Sequence, residues 1–220
     1  MPAKTSSIKY FPQILTFAFF AFFLKYALGI KIKGKEKLNA SRRPVIIVAN
    51  HSSKLDPFVV LSAMGWRYFL RFYPWKFPLA KDYAQKWWLG KPAALVGCYK
   101  IEGRGDLNES LKETFSCIDN GFSLIFFPEG RMVRKGEISK IKRGIGYVCE
   151  KKDVDILPIK IKHNGFDTKG RGRIRNSEVV FGETFSSREL REKHPPEELH
   201  EIVMERVYAL GRVEFISKIS

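Results

Sequence analysis

The chain has 220 residues, 45% hydrophobic and 28% charged, and its 39 Lys+Arg against 23 Asp+Glu leave a formal net charge of +16. That length and mixture describe one ordinary globular domain, and three scattered cysteines, Cys98, Cys117 and Cys149, exclude a disulfide framework or a CxxC zinc site. The charge calls for an anionic partner: nucleic acid, an anionic membrane surface or a phosphorylated small molecule.

From Tyr10 to Leu24 there is no charge for 15 residues. As a helix this run is about 22 Å long, short of the roughly 30 Å hydrocarbon core, and it would span only if extended to Ile30 with Lys25 reaching back to the interface. Lys4 and Lys9 give a basic start, but no small-x-small cleavage site follows, which speaks against a secretory signal. A buried core helix is the remaining reading. We expect a membrane-anchoring segment over 1–30, spanning or lying in the interface, followed by one domain over 31–220. Lys31, Lys33, Lys35, Lys37, Arg42 and Arg43 on its second flank place that domain on the cytoplasmic side.

"KIKGKEKL" reads as a short strand and turn, and "PVIIVAN" (44–50) as a fully buried strand. "PFVVLSAMGW" (57–66) starts a helix, with Asp56 or Pro57 in its first turn. "ALVGCYKI" (94–101) is a second strand. Leu107, Leu111, Phe115 and Ile118 then recur at helical spacing, between Asp106 as N-cap and Gly121 as stop. "FSLIFFPEG" (122–130) is a third buried strand, followed by a helix around 141–152 and strands at "DILPIKI" (155–161) and "EVVFGETF" (178–185). An amphipathic helix closes the pattern from Pro196 to about Gly211. Alternating strands and helices predict an α/β domain with a mostly parallel central sheet flanked by helices.

Two stretches carry chemistry. At the carboxyl end of the 44–50 strand, "NHSSKLDP" sets His51 and Asp56 five positions apart, so that a tight turn can return the carboxylate to the imidazole. Imidazole is the usual general base near neutral pH, and a carboxylate on its far nitrogen fixes tautomer and orientation. Open α/β sheets place ligands at such strand ends. A lone histidine after a strand is more often structural, so the pair alone leaves both readings open. The 122–130 strand ends in Pro128-Glu129-Gly130, a turn that lets backbone approach a ligand, and Arg131, Arg134, Lys135, Lys140, Lys142 and Arg143 follow. Such a cluster can fix a phosphate through charge-assisted bonds; standing alone it would be a solvated basic loop.

Together, "NHSSKLDP" and "FPEGRMVRKG" resemble the two signature blocks of the glycerolipid acyltransferases of the lysophosphatidate-acyltransferase type, N-H-x4-D and F-P-E-G-T-R-S. "GCYKIEGRGD" (97–106) is similar to that family's second block, "ILPIKI" (156–161) to its V-P-V strand, and "VVFGETF" (179–185) to its closing strand. The resemblance implies a catalytic domain that moves an acyl group from an acyl-CoA or acyl carrier protein conjugate to a lysophospholipid hydroxyl. His51 would be the general base and Asp56 its orienting partner, with no acyl-enzyme, no metal and no organic cofactor. Glu129, Gly130, Arg131, Arg104 and Arg134 would hold the acceptor's phosphate, and Pro158 would help shape the site. Backbone amides near Gly130 or in the His51 turn are candidates for the oxyanion. The chain departs from the pattern in two places. Gly130-Arg131-Met132-Val133 stands where the family has Gly-Thr-Arg-Ser, and Arg104 falls one place late after Gly103.

Trp87 and Trp88 between Lys86 and Lys91, and the basic stretch 162–176, suit a lipid headgroup boundary. His163, His194 and His200 lie outside any catalytic pattern and read as surface or structural. Another lipid acceptor on the same fold is an alternative, and so is a non-catalytic basic membrane-binding protein. No nucleic-acid module is recognisable, so nucleic acid is not an expected partner.

Overall fold

Val45–Ala49, apolar without interruption, forms the central strand β2, and every side chain in it is completely buried. A strand covered on both faces has no solvent side to make polar, which explains the unbroken run. The computed structural model describes residues 11–22, 29–80, 93–101, 105–137 and 139–210. Around β2 lie β1 (Lys31–Lys33), β3 (Trp75–Ala80), β4 (Cys98–Ile101), β5 (Ser123–Phe126), β6 (Asp155–Lys162), β7 (Glu178–Phe181) and β8 (Phe185–Ser186). They make one sheet in the order β1-β7-β6-β2-β5-β3-β4, with β8 on β6. β2 runs parallel to both neighbours, so that Ile46 lies beside Leu124 and Ile156, and Ile47 beside Ile125 and Leu157. β3 pairs parallel with β5 and β4, and β1 with β7; only the β6–β7 and β6–β8 pairs are antiparallel. The expected α/β architecture with a mostly parallel sheet is therefore present.

Helices cover both faces. α1 (Phe11–Phe22) and α2 (Asp56–Phe72) cover the side of Val45, Ile47 and Ala49, adding Met64, Phe69 and Phe72. On the side of Ile46 and Val48 lie α3 (Leu107–Asp119), α4 (Gly144–Lys151), α5 (Ser187–Lys193) and α6 (Leu199–Ala209), which contribute Leu111, Ile145, Leu190 and Val203. Each fully buried Ile or Leu contributes about 2 kcal/mol of apolar burial. Asp106 caps α3, its carboxylate accepting from the Glu109 amide at 3.2 Å.

Two elements were hidden in the sequence. β3 contains Lys76 and Pro78, which break both the apolar run and the ladder donors by which a strand is recognised. α5 has 7 residues, too few to show a helical period, although Ser186 caps it by accepting from the Arg188 amide.

The spanning form of the expected membrane anchor is corrected among the described residues. α1 has 12 residues, about 18 Å, and no helix among the described residues is long and apolar enough to cross a membrane. One face of it is docked on the domain: Phe17 is buried and stacks on Phe69 with ring centroids 3.8 Å apart. The buried Gln13 side chain donates to the Trp75 carbonyl at 2.8 Å and accepts from the Trp75 amide at 3.2 Å. The other face, with Phe11, Leu15 and Phe19, is exposed. Residues 1–10 and 23–28 of the 1–30 segment, and Trp87 and Trp88, lie outside the described residues.

Candidate active site

The site forms where β2 and β5 end side by side. Asn50 prolongs β2 by its side chain: its amide nitrogen donates to the Ile161 carbonyl at 3.0 Å and its oxygen accepts from the Ile161 amide at 2.8 Å. This borrowed ladder pins the start of the turn to β6. The chain then turns through Ser52 and Ser53 into Asp56, the first residue of α2.

Asp56 is 0% exposed. Its Oδ2 lies 3.0 Å from His51 Nδ1 and accepts from the Ser52 and Ser53 amides at 2.8 Å each. Its Oδ1 faces Nε2 of His163, at the end of β6, at 3.2 Å. Burial pushes the Asp56 carboxyl up, but His163 and His51, set against its two oxygens, outweigh it and hold the group below the ordinary aspartate range. The His51 side chain is 19% exposed and its ring stacks on Phe127, centroids 4.4 Å apart. With Nδ1 on the carboxylate, Nε2 is the nitrogen left to take a proton.

The second block is tied directly to the first. The His51 carbonyl accepts from the Val133 amide at 2.7 Å, and the His51 amide donates to Glu129 Oε2 at 2.5 Å. Glu129 Oε1 accepts from the Tyr208 hydroxyl of α6 at 2.8 Å. Burial holds the Glu129 carboxyl above its ordinary range, partly offset by these two hydrogen bonds and by the charge of Lys160. Lys160, in turn, lies with its ammonium 4.4 Å from the Tyr208 ring centroid. Glu129 is thus turned inward with both oxygens engaged, whereas Arg131 and Arg134 are exposed.

Gly130 has a φ of +63°, a left-handed conformation that favours glycine, and the end of the Lys142 side chain lies against it. Arg131 is half-exposed and its Nη1 binds Glu137 Oε2 at 2.6 Å; Arg134 is exposed beside it. Arg104 lies outside the described residues. The structure therefore brings His51, Asp56, Glu129 and Gly130 together, with Arg131 and Arg134 on the rim. Several amides in the two blocks are committed elsewhere: His51 to Glu129, Ser52 and Ser53 to Asp56, Gly130 to the Phe127 carbonyl, and Val133 to the His51 carbonyl.

Two further residues complete the site, His163 and Tyr208. Nothing in the local sequence marks either, because each meets its partner only across the sheet.

A sequence model of the family described as Acyltransferase matches residues 29–162, which hold both signature blocks. The chain belongs to the acyltransferase family. A probable 1-acyl-sn-glycerol-3-phosphate acyltransferase of Mycoplasma pneumoniae is 30% identical over 156 residues, covering 70% of this chain and 58% of the relative. A chloroplastic 1-acyl-sn-glycerol-3-phosphate acyltransferase of Arabidopsis thaliana is 27% identical over 137 residues, covering 62% and 36%. The chain thus spans about half the length of these curated relatives. The crystal structure of the 1-acyl-sn-glycerophosphate acyltransferase PlsC from Thermotoga maritima superposes with a TM-score of 0.68 at 18% identity, over 92% of this chain and 81% of that one. At that identity the likeness concerns the fold.

Proposed function

We propose that this acyltransferase moves a fatty acyl group from an acyl thioester to the free hydroxyl of 1-acyl-glycerol-3-phosphate, giving phosphatidate. The observation that carries the reading is the His51 Nδ1 to Asp56 Oδ2 contact of 3.0 Å, which leaves Nε2 as the working nitrogen. The acceptor hydroxyl gives its proton to His51 Nε2 while its oxygen adds to the thioester carbonyl. The tetrahedral adduct collapses, the carbon–sulfur bond breaks, and the thiolate takes the proton back from His51. No acyl-enzyme forms on this route. The cysteines suit that role poorly, because burial pushes the thiols of Cys98 and Cys117 up to about 11 and that of Cys149 up to about 12. The donor is acyl-CoA or an acyl carrier protein conjugate.

Gly130, Arg131 and Arg134, with Arg104, receive the acceptor's phosphate, and Glu129 serves the site by holding the His51 backbone. The outward row Phe11, Leu15 and Phe19 of α1, continued by Trp66 and Leu70 of α2, rests on the lipid surface. The +16 charge draws the protein to anionic headgroups, with the catalytic domain on the cytoplasmic face. A second reading keeps this chemistry but uses another lysophospholipid, because Arg131 is already paired with Glu137 and the family's threonine is absent.

Acyl transfer from a long-chain acyl thioester to lysophosphatidate, in detergent, tests the reading. Wild type is expected to be active and a folded His51→Ala variant inactive. Equal rates would remove His51 from the mechanism, and inert lysophosphatidate beside another active acceptor would establish the second reading.

A further inference from the structure

His163 lies one residue beyond the stretch that matches the family, yet it reaches the centre of the site. Its side chain is 2% exposed, and its Nε2 faces Asp56 Oδ1 at 3.2 Å. Among the described residues neither atom has any hydrogen bond of good geometry, this contact included, although the distance is short. The two nevertheless face each other directly. A carboxylate oxygen beside a bare imidazole nitrogen would set lone pair against lone pair in a site sealed from water, so a proton lies between them.

The far side of the ring is fixed as well. The Ser177 hydroxyl donates to the Arg173 carbonyl at 2.9 Å, which makes Ser177 the acceptor for His163 Nδ1 at 3.3 Å. Held by Ser177 on its far side, the ring stands against the second oxygen of a carboxylate whose first oxygen already meets His51. The backbone lies against the ring at Gly172, where a Cβ would come within 2.2 Å of His163 Cδ2. The Gly172 amide in turn donates to the Ser52 carbonyl at 3.0 Å, closing the loop onto the catalytic turn.

We propose that His163 is a positioning residue for the reaction assigned above: it holds the second oxygen of Asp56, so that the first is aimed at His51. The proposal rests on His51 being the base. Steady-state acyl transfer by the full chain is measured for wild type, His51→Ala, His163→Phe, His163→Gln and His163→Asn, each with its thermal unfolding. Glutamine sets an N–H where His Nε2 lies, whereas the shorter asparagine reaches only the place of Nδ1.

The expected result for His163→Phe is a kcat about 10- to 100-fold lower, with KM for both substrates within about twofold of wild type. His163→Gln recovers most of that loss and His163→Asn does not. Should His163→Phe fail to fold, a kcat for Gln about tenfold above that for Asn carries the same conclusion. Wild-type kcat in His163→Phe, equal rates for Gln and Asn, or a loss confined to KM overturns the proposal. An inactive His51→Ala beside an unaffected His163→Phe overturns this proposal alone; a fully active His51→Ala overturns it together with the reading on which it rests.

Discussion

The turn at 51–56 and the segment at 128–137 meet at neighbouring strand ends and share hydrogen bonds, yet they are built on opposite terms. In the first, a carboxylate that is 0% exposed has one oxygen fixed by two backbone amides and an imidazole. In the second, Arg131 keeps 54% of its side chain in solvent and is paired with an equally movable Glu137. Proton transfer, the role proposed for the first, fails with small errors in distance and so suits groups that are sealed and over-determined. Attraction for a phosphate, the role proposed for the second, acts over several ångströms and tolerates movement, so it suits groups solvated on long arms.

Substitutions in the two regions should therefore differ in kind. Asp56→Asn attacks the sealed region and is expected to lower kcat about 10³- to 10⁴-fold, because the amide cannot select the same His51 tautomer. Steady-state rates on the folded variant check this, and a loss in KM alone would break the contrast. Next comes Glu129→Ala, which deprives the His51 amide and the Tyr208 hydroxyl of their acceptor. A drop in kcat of about 100-fold and a loss of about 1–3 kcal/mol in urea unfolding are expected. Arg131→Ala and Arg134→Ala attack the open region. Each should raise the acceptor's KM about 3- to 10-fold without changing kcat, and added salt should shrink the difference. A kcat effect as large as that of Asp56→Asn would mean that these arginines touch the reacting atoms.

Acid sharpens the contrast within the sealed region. The Asp56 carboxyl is held below its unfolded value, so its contribution to stability is full above that value and lost as pH falls through the lower folded one. Glu129 is held above its unfolded value, with the opposite sign: its contribution is full below the unfolded value and lost as pH rises through the folded one. Unfolding measured from about pH 6 to pH 3 should therefore show a flatter acid decline in Asp56→Asn than in wild type. Tyr208→Phe is the mildest change, costing about 1 kcal/mol of stability and less than about threefold in kcat.

The buried strands around 45, 123 and 155 were legible because burial on two faces leaves an uninterrupted apolar run. His51 and Asp56 were legible as a candidate pair because one turn contains both. Glu129 was legible in position but not in its contacts, since the amide and hydroxyl that turn it inward belong to residues 51 and 208. His163 was hidden because its partner lies on another strand end, and its own neighbours, a lysine, an asparagine and a glycine, read as surface. The short packed face of α1 escaped for a related reason. Its phenylalanines look alike in sequence, and only Trp66 and Phe69 of α2 decide that Phe17 turns inward.

The bond from Tyr208 to Glu129 also orders events during synthesis. A chain leaving the ribosome presents His51, Asp56 and Glu129 long before residue 208, and the sheet face later covered by Val203, Met204 and Val207 stays bare until α6 arrives. Helix α6 is therefore both a cover of the second core and a brace, through Glu129, of the turn that carries His51. A nascent chain that still lacks this helix carries His51, Asp56 and Glu129 without that support.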